Sequence, residues 1–283
     1  MGVIVNTNVQ ALISQRNLSN STNSLNKATQ RLSTGMKINS AADDAAGLFI
    51  AKGLETQLRG SQQCQTNISL GINVLQIAEG DLSTIQDNLM RIKDLATQAA
   101  NGVYSTDART AMKDEVIARC DEINRIAQAS NFNGMELFTV SAPSNIALQV
   151  GAGAASAANC INITGVFGKV TSSSLSIGNA SAAGHKMMNS GSAAAFISAC
   201  GKAINQISTK RSSIGVMQSR LEMAAQGLAT TIENISASKS TIMDTDIAAT
   251  TAEYTKNQIL QQISSSMLTQ ANQAPSIALS LLG

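Results

Sequence analysis

The chain has 283 residues, 20 Lys and Arg against 18 Asp and Glu, and 43% apolar residues, with aromatics only 2% of the whole. A formal net charge of +2 without any Lys/Arg run excludes an electrostatic binder of nucleic acid or anionic membrane. No apolar run approaches the roughly 20 residues of a membrane span.

With no Trp, two Tyr and five Phe, the usual core-fillers are scarce. The apolar content lies in small aliphatic side chains, which suit thin, elongated helical packing over a thick globular core. Prolines occur only at Pro143 and Pro275, so long stretches lack the strongest helix breaker. The start, MGVIVNTNVQALISQRNL, has no basic segment followed by a continuous apolar block. It does not read as a cleavable secretory signal, which leaves cytosolic residence and an export route without such a signal both open.

Ile4, Ala11, Leu18, Leu25 and Leu32 stand seven residues apart and draw a narrow seam along a first helix. Gly35 is placed to end it, a turn runs through MKINS, and Asp43 and Asp44 mark the N-terminus of a second helix. There Leu75, Ala78, Leu82, Ile85, Leu89, Ile92, Ala96 and Ala99 alternate by three and four, until Asn101-Gly102 stops the series. A third helix from about Thr106 to Ala129 carries Met112, Val116, Ile123 and Ile126 on one side. Between Asn131 and about Ser190 Gly, Ser, Ala and Asn dominate, and IALQV and CINIT read as short strands.

Helical spacing returns near Ser192 and runs through Ile214, Met217, Leu221, Ala224, Leu228, Thr231, Ile235, Ser238 and Ile242. Met243-Asp244-Thr245-Asp246 interrupts it. In the last helix Leu260, Met267, Ala274 and Leu281 recur every seven residues. The plan is symmetric: terminal seam, long helices, a small β-rich middle, long helix, terminal seam. A helix of ~50 residues spans roughly 75 Å, longer than a compact domain of this mass accommodates. The fold class is therefore mainly α, an elongated antiparallel coiled-coil helical bundle with a small β-hairpin region.

Ile277, Leu279, Leu281 and Leu282 crowd the C-terminus, where apolar residues gain nothing unless something covers them. Two narrow seams pairing with each other leave much of each helix bare. Ordering ~35 residues at each end costs on the order of 1 kcal/mol or more per residue in backbone entropy. The expected cover is another copy of the chain.

Residues able to carry chemistry are sparse. Cys64, Cys120, Cys160 and Cys200 form no CxxC pair and read mostly as buried thiols, and the one histidine, His185, lies away from any acidic cluster. Val150-Gly-Ala-Gly-Ala-Ala-Ser156 lacks the third glycine and the following helix of a nucleotide-binding loop. Asp43-Asp44 and Asp244/Asp246 sit at helix boundaries, where capping and inter-subunit salt bridges explain them better than acid–base work. No catalytic residue, cofactor or metal site is expected, so the chain is not read as an enzyme. Thr171 to Ser176 reads as a solvated loop or an O-glycosylated one.

Residues 31–47, RLSTGMKINSAADDAAG, are close to RLSSGLRINSAADDAAG, the signature of bacterial flagellin. Gln258-Ile-Leu-Gln-Gln262, Met267-Leu-Thr-Gln-Ala-Asn-Gln-Ala-Pro275 and Leu279-Ser-Leu-Leu282 resemble that family's closing helix. Asn234, Ala237, Ser240, Ile242, Asp244 and Asp246 fit its pre-terminal pattern; Thr241 stands where the family usually has Arg, and Gly283 where many members end in Arg. The resemblance covers residues 1 to about 138 and 195 to 283. Asn101-Gly-Val-Tyr-Ser-Thr-Asp107 and the small size are similar to spirochete core flagellins, whose filaments stay in the periplasm.

The resemblance implies a motility protein: a subunit exported unfolded and polymerised into the flagellar filament, outside the cell or in the periplasm. Its terminal helices would form inner coiled-coil tubes, called D0, within a D1 layer. Carried over, the domains are 1–40 (N-terminal D0 helix), 41–138 (N-terminal D1 helices), 139–191 (short β-rich D1 segment), 192–243 (C-terminal D1 helix) and 244–283 (C-terminal D0 helix). The expected assembly residues are Leu18, Leu25, Leu32, Leu260, Met267, Leu268 and Leu281. Leu89-Met-Arg-Ile-Lys-Asp-Leu95 is similar to the stretch read by the flagellin-sensing Toll-like receptor of animal hosts, with Met90 replacing the usual Gln. By position Arg91, Leu95 and Glu115 would be the contacts, on a surface that first serves packing. Implied partners are other flagellin subunits, hook-associated and cap proteins, and an export chaperone with the export apparatus. The alternative reading is a hook–filament junction (hook-associated) protein, which shares the terminal helices.

Overall fold

A computed structural model of the chain describes residues 7–143, 145–154, 158–178, 182–184 and 190–280, with side chains throughout except 190–192 and 274–280. The fold is mainly helical. Its elements are α1 (Val9–Thr34), α2 (Ala45–Ala100), α3 (Thr106–Ala129), β1 (Asn131–Phe132), β2 (Met135–Glu136), β3 (Asn145–Gln149), β4 (Cys160–Thr164), α4 (Ser190–Met243) and α5 (Ile247–Ser280). The chain divides into two compact units, Met1–Leu58 with Glu233–Gly283, and Arg59–Ile232.

The 59–232 unit is built on the three-four series of α2. Leu75, Ala78, Leu82, Ile85, Leu89, Ile92, Ala96 and Ala99 are all buried, facing Val116, Cys120 and Ile123 of α3 and Phe196, Ala203, Ile207, Ile214 and Leu221 of α4. Thr231 and Ser238, at the end of the α4 series, are exposed instead. Polar contacts key the antiparallel helices. Arg211 donates to Glu79 Oε1 at 2.7 and 2.9 Å and to Gln86 Oε1 at 2.7 Å. Ser130 Oγ donates to Asp81 at 2.5 Å.

Two antiparallel hairpins complete the unit. In β1–β2 the turn is Asn133-Gly134, both at positive φ (49° and 79°), as a two-residue hairpin with the strand twist requires. Strands of two residues show no alternation, so the Asn-Gly dipeptide is the hairpin's one mark in the sequence. In β3–β4 Ile146 stands opposite Ile163. This hairpin seats on a stripe of α2 pared down by glycine: a Cβ on Gly71 would fall 2.2 Å from Leu148 Cδ1, and one on Gly60 2.8 Å from Ala152 Cβ. Asn67 Nδ2, between them on the same stripe, donates to the Gln149 carbonyl at 3.2 Å.

The segment after β4 tucks Val166, Phe167, Val170, Leu175 and Ile177 into the same core. Lys210 Nζ holds it by donating to the Val166 carbonyl at 3.1 Å, and burial lowers the Lys210 pKa.

Candidate assembly surface

In the other unit α1 and α5 lie antiparallel. Asn8 Nδ2 donates to the Ala271 carbonyl at 2.7 Å, Gln261 Nε2 to Thr22 Oγ1 at 3.2 Å, and Arg31 stands 3.9 Å from Glu253. The stripe of α1 that is covered reads Ala11, Ser14, Leu18, Ser21, Leu25, Ala28 and Leu32. Leu18, Leu25 and Leu32 are thus half-buried at one heptad position, and small residues fill the other. That alternation lets the helix backbones approach closely.

The covered stripe of α5 is different in kind: Thr250, Tyr254, Asn257, Gln261, Ser264, Leu268 and Ala271. Its spacing is that of a coiled coil, but five of these seven residues carry polar groups. The apolar residues of the helix point elsewhere. Met267 is 58% and Leu260 38% exposed, and Ile247, Ile259 and Ile263 are exposed with them. On α1 Val9, Leu12 and Ile13 are exposed likewise. Of the seven expected assembly residues, Leu18, Leu25, Leu32 and Leu268 line the α1–α5 seam, while Leu260 and Met267 lie outside it. Leu281 falls outside the described residues, as does His185.

Between α1 and α2 the signature segment forms a joint with the break between α4 and α5. Gly35 takes φ 70° and donates its N–H to the Arg31 carbonyl at 2.9 Å, closing α1 with a left-handed cap. Lys37 N then donates to Met243 O at 2.6 Å and Thr245 N to Gly35 O at 2.9 Å, a single antiparallel bridge. Ile38, Ala51 and Met243 are buried beneath it.

The acidic residues satisfy orphan backbone donors. Asp43 accepts from Ser40 Oγ (2.9 Å), Ser40 N (3.1 Å) and Asn39 N (3.3 Å). Asp44 accepts from Gly47 N at 2.9 Å, and Asp246 from Ala248 N at 2.8 Å and Ala249 N at 3.1 Å. Hydrogen bonds from Ser40, foremost its hydroxyl, hold the Asp43 carboxyl below its ordinary value. Asp44 and Asp246 are helix caps, as their place at helix boundaries implied, while Asp43 closes the turn that precedes α2.

On the 59–232 unit, Arg91 and Glu115 form a bidentate pair, Nε to Oε1 at 3.0 Å and Nη2 to Oε2 at 3.3 Å. Arg119 adds a third bond to Glu115 Oε1 at 3.1 Å and reaches Asn88 Oδ1 at 3.0 Å. The bonds from Arg91 and Arg119 depress the Glu115 pKa. Leu95 is 2% exposed and belongs to the core beneath them.

Of the stretch 150–156, residues 150–154 open the turn of the β3–β4 hairpin, with Val150 N and Gly151 N both donating to Asn159 O, and 155 and 156 fall outside the described residues. Among the described residues no group of three or more His, Cys, Asp or Glu is placed to hold a metal ion.

Comparison with known proteins gives the arrangement its context. Residues 5–142 match the model of the bacterial flagellin N-terminal helical region, and residues 197–282 that of the bacterial flagellin C-terminal helical region. The chain is 38% identical to the flagellar filament core protein flaB2 of Brachyspira hyodysenteriae, covering 99% of this chain and 100% of the relative. It is 35% identical, over the same shares, to a flagellin of Halalkalibacterium halodurans. A solved Vibrio parahaemolyticus structure, assigned as a flagellar hook-associated protein, is 16% identical with a TM-score of 0.60, covering 71% of this chain and 99% of that one. That likeness is one of fold alone. Matched at both ends by the family's two helical regions and over 99% of its length by flagellins, the chain belongs to the bacterial flagellin family.

Proposed function

We propose that copies of this chain join through the outward apolar face of α5 and the exposed apolar residues at the start of α1. The chain is a structural subunit of the flagellar filament, and its work is assembly, with no chemical step. The carrying observation is the inversion of α5: mostly polar side chains face α1, while Ile259, Leu260, Ile263 and Met267 face outward. A helix that spends its polar stripe on its own chain keeps its apolar one for another chain. In this reading residues 1–40 and 244–283 form the inner D0 tubes, and 41–138, 139–191 and 192–243 form the D1 layer.

The test is negative-stain electron microscopy of purified protein seeded under precipitating salt, beside a variant lacking residues 1–33 and 247–283. Filaments from the full chain alone support the reading. Filaments from both would remove the terminal helices from the interface. Filaments from neither would favour the hook–filament junction protein.

Partners follow from the same reading: hook-associated and cap proteins at the filament ends, and an export chaperone and export apparatus before assembly. A periplasmic core filament is favoured by the Brachyspira core protein among the relatives and by the 101–107 stretch. Antibody labelling of intact against permeabilised cells separates it from an external one. For the Toll-like receptor, the paired Arg91 and Glu115 supply the exposed part of a contact and Leu95 supports it from below. Loss of receptor activation in Arg91→Ala, with unchanged folding, checks that.

A further inference from the structure

The core of the 59–232 unit holds two thiols for which assembly has no use. Cys120 on α3 and Cys200 on α4 are both 0% exposed and belong to one continuous apolar core. The contacts that key the helices put them at one level. Arg119 on Asn88 and Ser130 on Asp81 bring Cys120 level with residues 87–91 of α2, counting antiparallel along the helices. Arg211 on Glu79, and Leu221 against Gly71, bring Cys200 level with residues 90–92. Their nearness is also felt electrostatically: burial, and after it the neighbouring Cys200 thiol, push the Cys120 thiol up to about 12. The other cysteines are placed differently. Cys64 is raised by burial alone, and the Cys160 thiol donates to Gln149 Oε1 at 2.9 Å at the mouth of the β3–β4 hairpin.

We propose that Cys120 and Cys200 are a disulfide-forming pair that staples α3 to α4, closed by exchange with a small-molecule disulfide while the bundle folds. One protein thiolate attacks the small disulfide, forming a mixed disulfide and releasing one small thiolate. The second protein thiolate then attacks the protein sulfur of that mixed disulfide and expels the other small thiolate. Two protein thiols become one disulfide, their two protons pass to the two released thiolates, and the small disulfide is reduced by two electrons. The structure shows the reduced form. Once the core has closed, the Cys120 thiolate is suppressed and both sulfurs are buried out of a reagent's reach, so the redox state set during folding persists.

The test uses the full chain as a monomer, so its failure leaves the filament reading untouched. Reduced protein is unfolded in guanidinium chloride and diluted into a mixture of reduced and oxidised glutathione. It is then alkylated and mapped by mass spectrometry of unreduced peptides. The Cys120–Cys200 link should dominate over every other pairing, with Cys64 and Cys160 alkylated. Folded reduced protein in the same buffer should form the link at least about 100-fold more slowly. The linked form should unfold at a higher guanidinium concentration, reversibly with dithiothreitol. A Cys64→Ala/Cys160→Ala variant, which keeps the core pair intact, should behave as the parent does. Scrambled pairings, stable glutathione adducts on Cys120 or Cys200, or linkage of the folded chain as fast as during refolding would each overturn the proposal.

Discussion

Gly47 shows why the signature segment tolerates little change. Its backbone N–H is capped by Asp44, and the same carboxylate occupies the space a side chain would need. A Cβ there would stand 2.4 Å from Asp44 Oδ2 and 2.7 Å from Ile38 Cδ1. Gly47→Ala must displace either the cap or the buried isoleucine, a cost of about 1–3 kcal/mol. The expected result is faster hydrogen exchange at the Lys37 and Thr245 amides, which close the bridge between the chain's two ends. Exchange in the 59–232 unit should be unchanged. Asp43 governs the same joint through pH. Its pKa is depressed in the folded chain, so its contribution is fully present above the unfolded value near 3.8 and is lost as pH falls through the lower folded value. Acid titration of the joint's amide exchange should therefore show a loss of protection below about pH 4. Asp43→Ala should remove that step, while the acid response set by Glu115 and Glu122, also depressed by arginine partners, stays.

The helices differ in how far their sequences reveal their neighbours. The apolar positions of α2 recur without a miss and all meet one core, so their period identified both the helix and its buried face. The Asp caps and the Gly35 terminus were equally legible, because their chemistry acts within a few residues. In α5 the period of Leu260, Met267, Ala274 and Leu281 also marked a helix, but a repeat names a stripe and not what lies against it. The stripe that meets α1 runs through Thr250, Asn257, Gln261 and Ser264, whose small apolar content left no signal. Two sets of variants separate the faces. Met267→Asp and Leu260→Asp change exposed side chains, so the monomer's unfolding free energy should move by less than about 0.5 kcal/mol. Polymer in a sedimentation assay should nevertheless disappear. Leu268→Asp alters the α1–α5 seam itself and should lower monomer helicity by circular dichroism as well. Polymerisation of Met267→Asp at the parent's critical concentration would remove the outward face from the interface.

Over the whole molecule, the charge balance and the exposed aliphatic side chains say which force drives polymerisation. A net charge of +2 leaves little repulsion to screen and little long-range attraction to steer copies together. Burial of Ile, Leu and Met against a second copy supplies free energy at roughly 25 cal/mol per Å². That term strengthens with salts excluded from protein surfaces and weakens on cooling. The critical concentration for growth on seeds, read by pelleting, should fall steeply with ammonium sulfate. Sodium chloride at equal ionic strength should change it little. Cooling the filaments from 25 to 4 °C should raise it. If the two salts act alike at matched ionic strength, ion pairs between copies, and not apolar burial, dominate the contacts. If sulfate alone acts and the Met267→Asp variant no longer responds to it, the driving force is traced to the outward face of α5.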